Sequence, residues 1–201
     1  MELGLTFISL AVSFGVFFIS LSIHEFSHAY ASFKLGDPTA KYEGRMTLNP
    51  LAHIDLIGTV VMPIFLSLSG MPAFGWAKPV HVNIYNFKNP ARDNFITAIA
   101  GPASNFVAAF LAALIMKIFP QSAILELFVM INVVLGVFNL LPIPPLDGSK
   151  IWHLLLSDES YFTLERLGPV ILISVLLFSS YFSNFLFSLI SFISSGIINI
   201  F

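Results

Sequence analysis

Val16 to Phe33 reads VFFISLSIHEFSHAYASF, and two properties of this stretch decide what kind of chain it belongs to. It continues an apolar run that begins at about Leu5, long enough to cross a bilayer as a helix. It also sets three ionisable side chains, His24, Glu25 and His28, inside that apolar run. Such groups are costly at membrane depth and are functional candidates by default. At 3.6 residues per turn, His24 and His28 lie one turn apart on one face, so both imidazoles can reach a single metal ion. Glu25 is displaced by about 100° and lies beside that face, placed to take a proton from water. An accidental pair of interfacial histidines is the bland reading. No nearby Lys or Arg neutralises the cluster, which makes a purely structural role hard to sustain.

The rest of the composition agrees with a membrane setting. Of 201 residues, 57% are hydrophobic and only 10% charged, with a mean hydropathy of +0.89. A soluble domain carries about 25% charged residues. Too little polar surface exists to cover a water-exposed globule, so the expected fold class is an all-α polytopic membrane protein with the lipid bilayer as its solvent. No basic patch interleaved with aromatics is present, and nucleic acid is not an expected partner. The absence of cysteine excludes disulfides and thiolate metal ligands. Any metal must therefore use imidazole and carboxylate. The N-terminal apolar run lacks a basic leader and carries the most chemically loaded residues, so it reads as mature protein rather than a signal peptide.

Spanning helices are predicted over about 5–33, 95–119 and 123–141, the last stopped by Pro142, Pro144 and Pro145. A stretch at 56–69 is too short to span alone and is expected to be re-entrant or interfacial. The final apolar stretch, about 167–201, fits one tilted span with an overhang, or a span and a half-helix broken near Ser179 to Asn184. Ala40–Leu48 and Val80–Tyr85 alternate polar and apolar residues and read as short strands, a small β element at the membrane face. Lys34, Lys41, Arg45, Lys78, Lys88 and Arg92 fall between the first two long spans, Lys150 and Arg166 follow the third, and only Lys117 lies in the turn between the second and third. The positive-inside rule puts both basic regions in the cytoplasm. Trp76 and Trp152 suit membrane–water boundaries.

A catalytic zinc usually takes three protein ligands and keeps one open position. Asp55, Asp93, Glu126 and Asp147 are the acidic residues in or beside apolar segments. Glu126 belongs to the opposite membrane face; Asp55 and Asp93 flank segments on the correct side and depth alone does not exclude them, and Asp147 shares the level of His24 and His28. Before Gly148-Ser149-Lys150, however, Asp147 is an equally good helix N-cap, and spacing alone leaves cap and ligand open. His53, His81 and His153 read as interfacial histidines, and Gly101-Pro102 as a site of close packing or a kink.

Three motifs taken together resemble the site-2 protease family of intramembrane zinc metalloproteases, in its short prokaryotic form. They are His24-Glu25-Phe26-Ser27-His28, Gly101-Pro102-Ala103-Ser104-Asn105, and the run from Asn139 through Pro142, Pro144, Pro145 and Asp147 to Gly148. The likeness covers about residues 5–156 and implies a three-helix catalytic core within 1–156, followed by one or two C-terminal helices in 157–201. It implies one Zn2+ held by His24, His28 and Asp147, with Glu25 as general base. Asn105 and Asn139 are implied as polar residues holding substrate backbone, although Asn side chains also commonly join membrane helices. The implied activity is hydrolysis of a peptide bond in or beside a transmembrane segment of a membrane-protein substrate, at a multi-pass cell-membrane enzyme whose site faces the cytoplasm. The strand near Lys41–Leu48 would hold the unwound substrate by edge pairing. Larger family members carry an extra helix before the motif helix and often a regulatory domain, and neither fits in this sequence. The rivals are a membrane cation transporter and a catalytically silent relative that binds membrane proteins.

Overall fold

The computed structural model describes residues 2–62, 65, 68–69 and 78–200. Regular structure among them is entirely helical. Helix α1, Glu2–Leu35, is followed by the short α2, Thr39–Tyr42. Helices α3, Pro90–Met116, and α4, Ala123–Asn139, form an antiparallel pair. A 3-10 turn, Asp147–Ile151, leads into the short α5, Trp152–Leu155, and then α6, Asp158–Phe178, and α7, Ser180–Asn199.

Three helical stretches are long and apolar enough to cross a membrane: Ile8–Leu35 of α1, α3 and α7. At 17 residues, α4 is shorter, about 26 Å at 1.5 Å per residue. Lipid explains a surface that water would not tolerate. Phe14, Ile19, Val107, Leu111, Phe187 and Phe192 all stand exposed on these helices. Between the helices the rule reverses, because apolar burial gives no advantage over lipid and close approach of small residues decides packing. Helix α3 turns Ala98, Ala109, Ala112 and Ala113 inward, each at most 6% exposed, and Val129, Val133 and Val137 of α4 fill the facing surface. Leu186 of α7 closes that core. Helix α3 is thus central, packed on α1 and α4.

Helix ends follow from particular residues. Gly36, at φ +112°, ends α1 with a paired closure in which its N–H donates to Phe33 O and that of Asp37 donates to Ser32 O. The final apolar stretch takes the two-helix form. Ser179 leaves helical geometry at φ −113°, ψ 87°, and its hydroxyl caps α7 by accepting from the Phe182 N–H.

The expected β element is corrected. No strand occurs among the described residues; residues 39–42 are helical, and 84–86 form a 3-10 turn. Residues 78–83 have no regular structure, and no neighbouring strand takes their backbone donors. The Val80 N–H donates to Glu25 Oε2 and the Asn83 N–H to Asp37 Oδ2. In the other stretch, Gly44 adopts φ +71°, Arg45 Nη1 donates to Ala52 O, and His53 Nε2 donates to Thr47 O. With it goes any role for 41–48 as an edge strand for substrate. The predicted re-entrant stretch begins as a π-helical turn, Leu56–Val61, whose Asp55 carboxylate caps the Gly58 N–H. Its continuation at 63–64 and 66–67, and Trp76, lie outside the described residues.

Candidate metal centre

Helix α1 carries His24, Glu25 and His28 to a depth where α3 passes beside it and the chain after α4 turns back under it. His24 and His28 are 4% and 8% exposed. Each ring is held from behind through Nδ1. His24 Nδ1 donates to Asn105 Oδ1 of α3 at 2.6 Å, and His28 Nδ1 donates to the Thr97 carbonyl at 2.8 Å. A carbonyl can only accept, so His28 carries its hydrogen on Nδ1. Asn105 donates through Nδ2 to the Ser20 carbonyl at 3.2 Å and to Asn132 Oδ1 at 2.9 Å, with its oxygen toward His24. A neutral imidazole has one N–H, so both Nε2 atoms present lone pairs.

These lone pairs converge. The two Nε2 atoms are 3.0 Å apart, and Asp147 Oδ2 lies 3.1 Å from His24 Nε2 and 3.3 Å from His28 Nε2. Asp147 Oδ2 is buried and has no hydrogen-bond donor. With both rings neutral, three acceptor atoms in mutual contact repel one another unless a cation sits among them. Ligands at 2.0–2.1 Å from a tetrahedral ion are themselves about 3.3–3.4 Å apart, close to the edges of this triangle. The residues therefore fit a metal ion. Among the described residues His24, His28 and Asp147 are the group that could hold one. The N-cap position of the 3-10 turn Asp147–Ile151 is Leu146, so Asp147 is the first residue of the turn and not its N-cap.

Glycine makes the triangle possible. A Cβ on Gly101 would overlap the His28 ring and come within 2.8 Å of His24 Cε1. Gly148, just after Asp147, lies so near the Leu140 and Leu141 carbonyls that any side chain would collide with backbone.

Beside the triangle, a cavity of about 580 Å³ is lined by Glu25, Asn139, Lys150, Pro79, Val80 and Tyr161, among others. Glu25 is 8% exposed and accepts the Val80 N–H at 3.0 Å. Asn139 reaches this cavity, its Nδ2 donating to Leu135 O. Asn105, fully buried, sits behind His24 with both ends of its amide engaged, so in this arrangement it has no group free for substrate. His53 lies buried beneath the 45–52 loop, His81 pairs with Glu43 at the surface, and His153 stacks on Tyr161 at 4.2 Å. None of these three joins the triangle. The C-terminal part closes the cavity from the side. Lys150 donates to both Glu165 oxygens at 2.9 Å, and α6 presses Gly168 against Pro144. The sequence reading did not single out Thr97, Val80, Lys150 or Tyr161; two of these act through backbone atoms, which no side-chain pattern reports.

The chain is similar to proteins whose names carry zinc and proteolysis. Residues 119–182, which include Asp147 and α6, match the model of Peptidase family M50. The chain is 37% identical over 146 residues to the Bacillus subtilis protein named "Putative zinc metalloprotease YwhC", covering 66% of this chain and 64% of that one. It is 34% identical over 137 residues to the Mycolicibacterium smegmatis protein named "Putative zinc metalloprotease Rip2", covering 65% of this chain and 51% of that one. The Mycobacterium tuberculosis Rip2 is 33% identical over the same shares. The chain thus spans between half and two thirds of these relatives. No solved structure matches it.

Proposed function

We propose that this relative of the M50 peptidases is an intramembrane zinc endopeptidase, hydrolysing a peptide bond in or beside a transmembrane segment of a membrane-protein substrate. The observation that carries it is the triangle of His24 Nε2, His28 Nε2 and Asp147 Oδ2, 3.0–3.3 Å apart, with both Nδ1 atoms committed elsewhere. Nitrogen and oxygen ligands of this number suit one Zn2+, which supplies Lewis acidity and lowers the pKa of water at the site.

The chain's own residues supply the rest. Glu25, next to His24 and facing the same cavity, takes a proton from the attacking water and returns it to the leaving amine. The triangle's burial keeps bulk water from screening these charges. Asn139, on the cavity wall, is placed to hold an unwound substrate backbone. Lys150 and Tyr161 line the same cavity, where they limit what reaches Glu25. The positive-inside distribution of Lys and Arg supports a site facing the cytoplasm of a multi-pass cell-membrane protein.

The test is cleavage of a transmembrane substrate by the detergent-purified chain, by Glu25→Gln, and by the wild type with chelator. Glu25→Gln should lose about 10²–10⁴-fold in rate while still binding zinc, and chelation should abolish cleavage until zinc is restored. Absence of cleavage in all samples, with metal transport into vesicles, would overturn the proposal in favour of a transporter.

A further inference from the structure

Asn132 lies one helix away from the metal triangle, on α4, yet its amide ends a directional chain of hydrogen bonds that begins at His24. We propose that Asn132 is a positioning residue that fixes the tautomer of His24 by setting which way the Asn105 amide faces. The proposal rests on the zinc reading of the site and names a residue that the three sequence motifs do not contain.

A carboxamide presents an oxygen on one side and an NH₂ on the other, and turning it over exchanges acceptor for donor. Asn105 faces His24 with one side and Asn132 with the other. If it turned over, its NH₂ would meet His24 Nδ1, which would then have to accept. The His24 hydrogen would move to Nε2, where it would point into the triangle and block a ligand lone pair. The orientation of Asn105 thus decides whether His24 can be a ligand at all.

Two backbone carbonyls, which can only accept, set this polarity. Asn132 Nδ2 donates to the Phe128 carbonyl at 2.9 Å and to Ser20 Oγ at 2.8 Å. Its oxygen is therefore turned toward α3, where it accepts from Asn105 Nδ2 at 2.9 Å. The same Nδ2 gives its other hydrogen to the Ser20 carbonyl at 3.2 Å. Both hydrogens of Asn105 are thereby spent, and its oxygen accepts from His24 Nδ1. Ser20 spends its own hydrogen on the Val16 carbonyl, so it can only accept from Asn132. Asn105, Asn132 and Ser20 are all completely buried, so no water competes. Every donor has one acceptor, and reversing any amide would leave carbonyls facing oxygens.

The experiment uses the whole detergent-purified chain and two readouts. The first is the ¹⁵N chemical shift of the His24 ring in metal-free protein, which distinguishes the Nδ1–H from the Nε2–H form. The second is Zn2+ affinity by competition with a chelator. Wild type should show Nδ1–H. In Asn132→Leu the Nε2–H form should appear, and affinity should fall about 10- to 100-fold, the usual effect of losing a group that orients a metal ligand. Asn132→Ser makes the same prediction should the leucine variant not fold. Its hydroxyl can bond back to the Phe128 carbonyl but is too short to reach Asn105. Because Asn132 acts through Asn105, adding Asn132→Leu to Asn105→Leu should cost no further affinity, whereas a general packing defect would add. An unchanged His24 tautomer in the folded Asn132 variants, or additive losses in the double variant, would overturn the inference. Failure of wild type to bind zinc would instead count against the metal reading, and the tautomer readout would still decide the role of Asn132.

Discussion

Gly101 is the smallest residue in the centre and one of its strictest. With both histidine rings against its Cα, a methyl group there must displace one imidazole or push α3 away from α1. Gly101→Ala is therefore expected to cost at least about tenfold in zinc affinity, on the scale of a disturbed ligand shell, while the helices still form because alanine favours helix. Chelator competition and circular dichroism together check this; unchanged affinity would show that the rings have room to move. At this scale the sequence spoke unevenly. His24, Glu25 and His28 were legible because a helix converts a spacing of four into a shared face. Gly101-Pro102 suggested close packing, but not that the packed partners are the two imidazoles, since contacts between helices leave no local pattern. Asp147 could be read equally as cap or ligand, and only a fold that brings the turn after α4 under α1 distinguishes the two. Asn105 was legible as a polar residue near the site. Its partners on α1 and α4 were not.

Asp37 ties the elements around the cavity together. Its carboxylate accepts from the Thr39 N–H and hydroxyl, the Asn83 N–H and Asn86 Nδ2, joining the end of α1 to segment 78–86. Burial pushes this carboxyl up, but the hydrogen bonds from Thr39, Asn86 and Asn83 outweigh it and hold it below its ordinary value of 3.8. A depressed folded-state pKa stabilises the fold above the ordinary value and stops doing so as pH falls through the depressed one. The attachment of segment 78–86 should thus hold at neutral pH and loosen only below about pH 4, near the ordinary carboxyl range. Hydrogen exchange at the Asn83 amide measures this. Protection should be lost in acid, and already at neutral pH in Asp37→Ala; protection that ignores both would remove Asp37 from the account. The same contacts explain why strands were expected and not found. Alternating side chains report an extended backbone, but whether its N–H groups meet another strand or a distant carboxylate is settled by tertiary placement. The break in the last apolar stretch was legible as one of two options, and Ser179 decides it by capping α7.

For the molecule as a whole, topology is the most accessible claim. The end of α1, the start of α3 and the turn after α4 meet at one level, as the contacts from His28 to Thr97 and from His24 to Asp147 require. The basic residues gather at that level, and Lys117 marks the other. Because the chain has no cysteine, single replacements report sidedness without background. Of Tyr85→Cys and Ala123→Cys, both at exposed positions, a membrane-impermeant thiol reagent should label Ala123→Cys in intact cells and Tyr85→Cys in inverted membrane vesicles. Labelling of both from one face would invert or dissolve the proposed orientation. For the proposed endopeptidase, the hydrogen bond from Val80 to Glu25 has a further consequence. The proposed base is already engaged by the protein's own backbone, so a productive encounter would exchange one amide donor for another. An intact helix has no amide to offer in trade, since its N–H groups are used internally. A segment that has already frayed does. On the proposed function, the idle site would be latent toward the many stable helices that surround it and would yield to chain that has come undone.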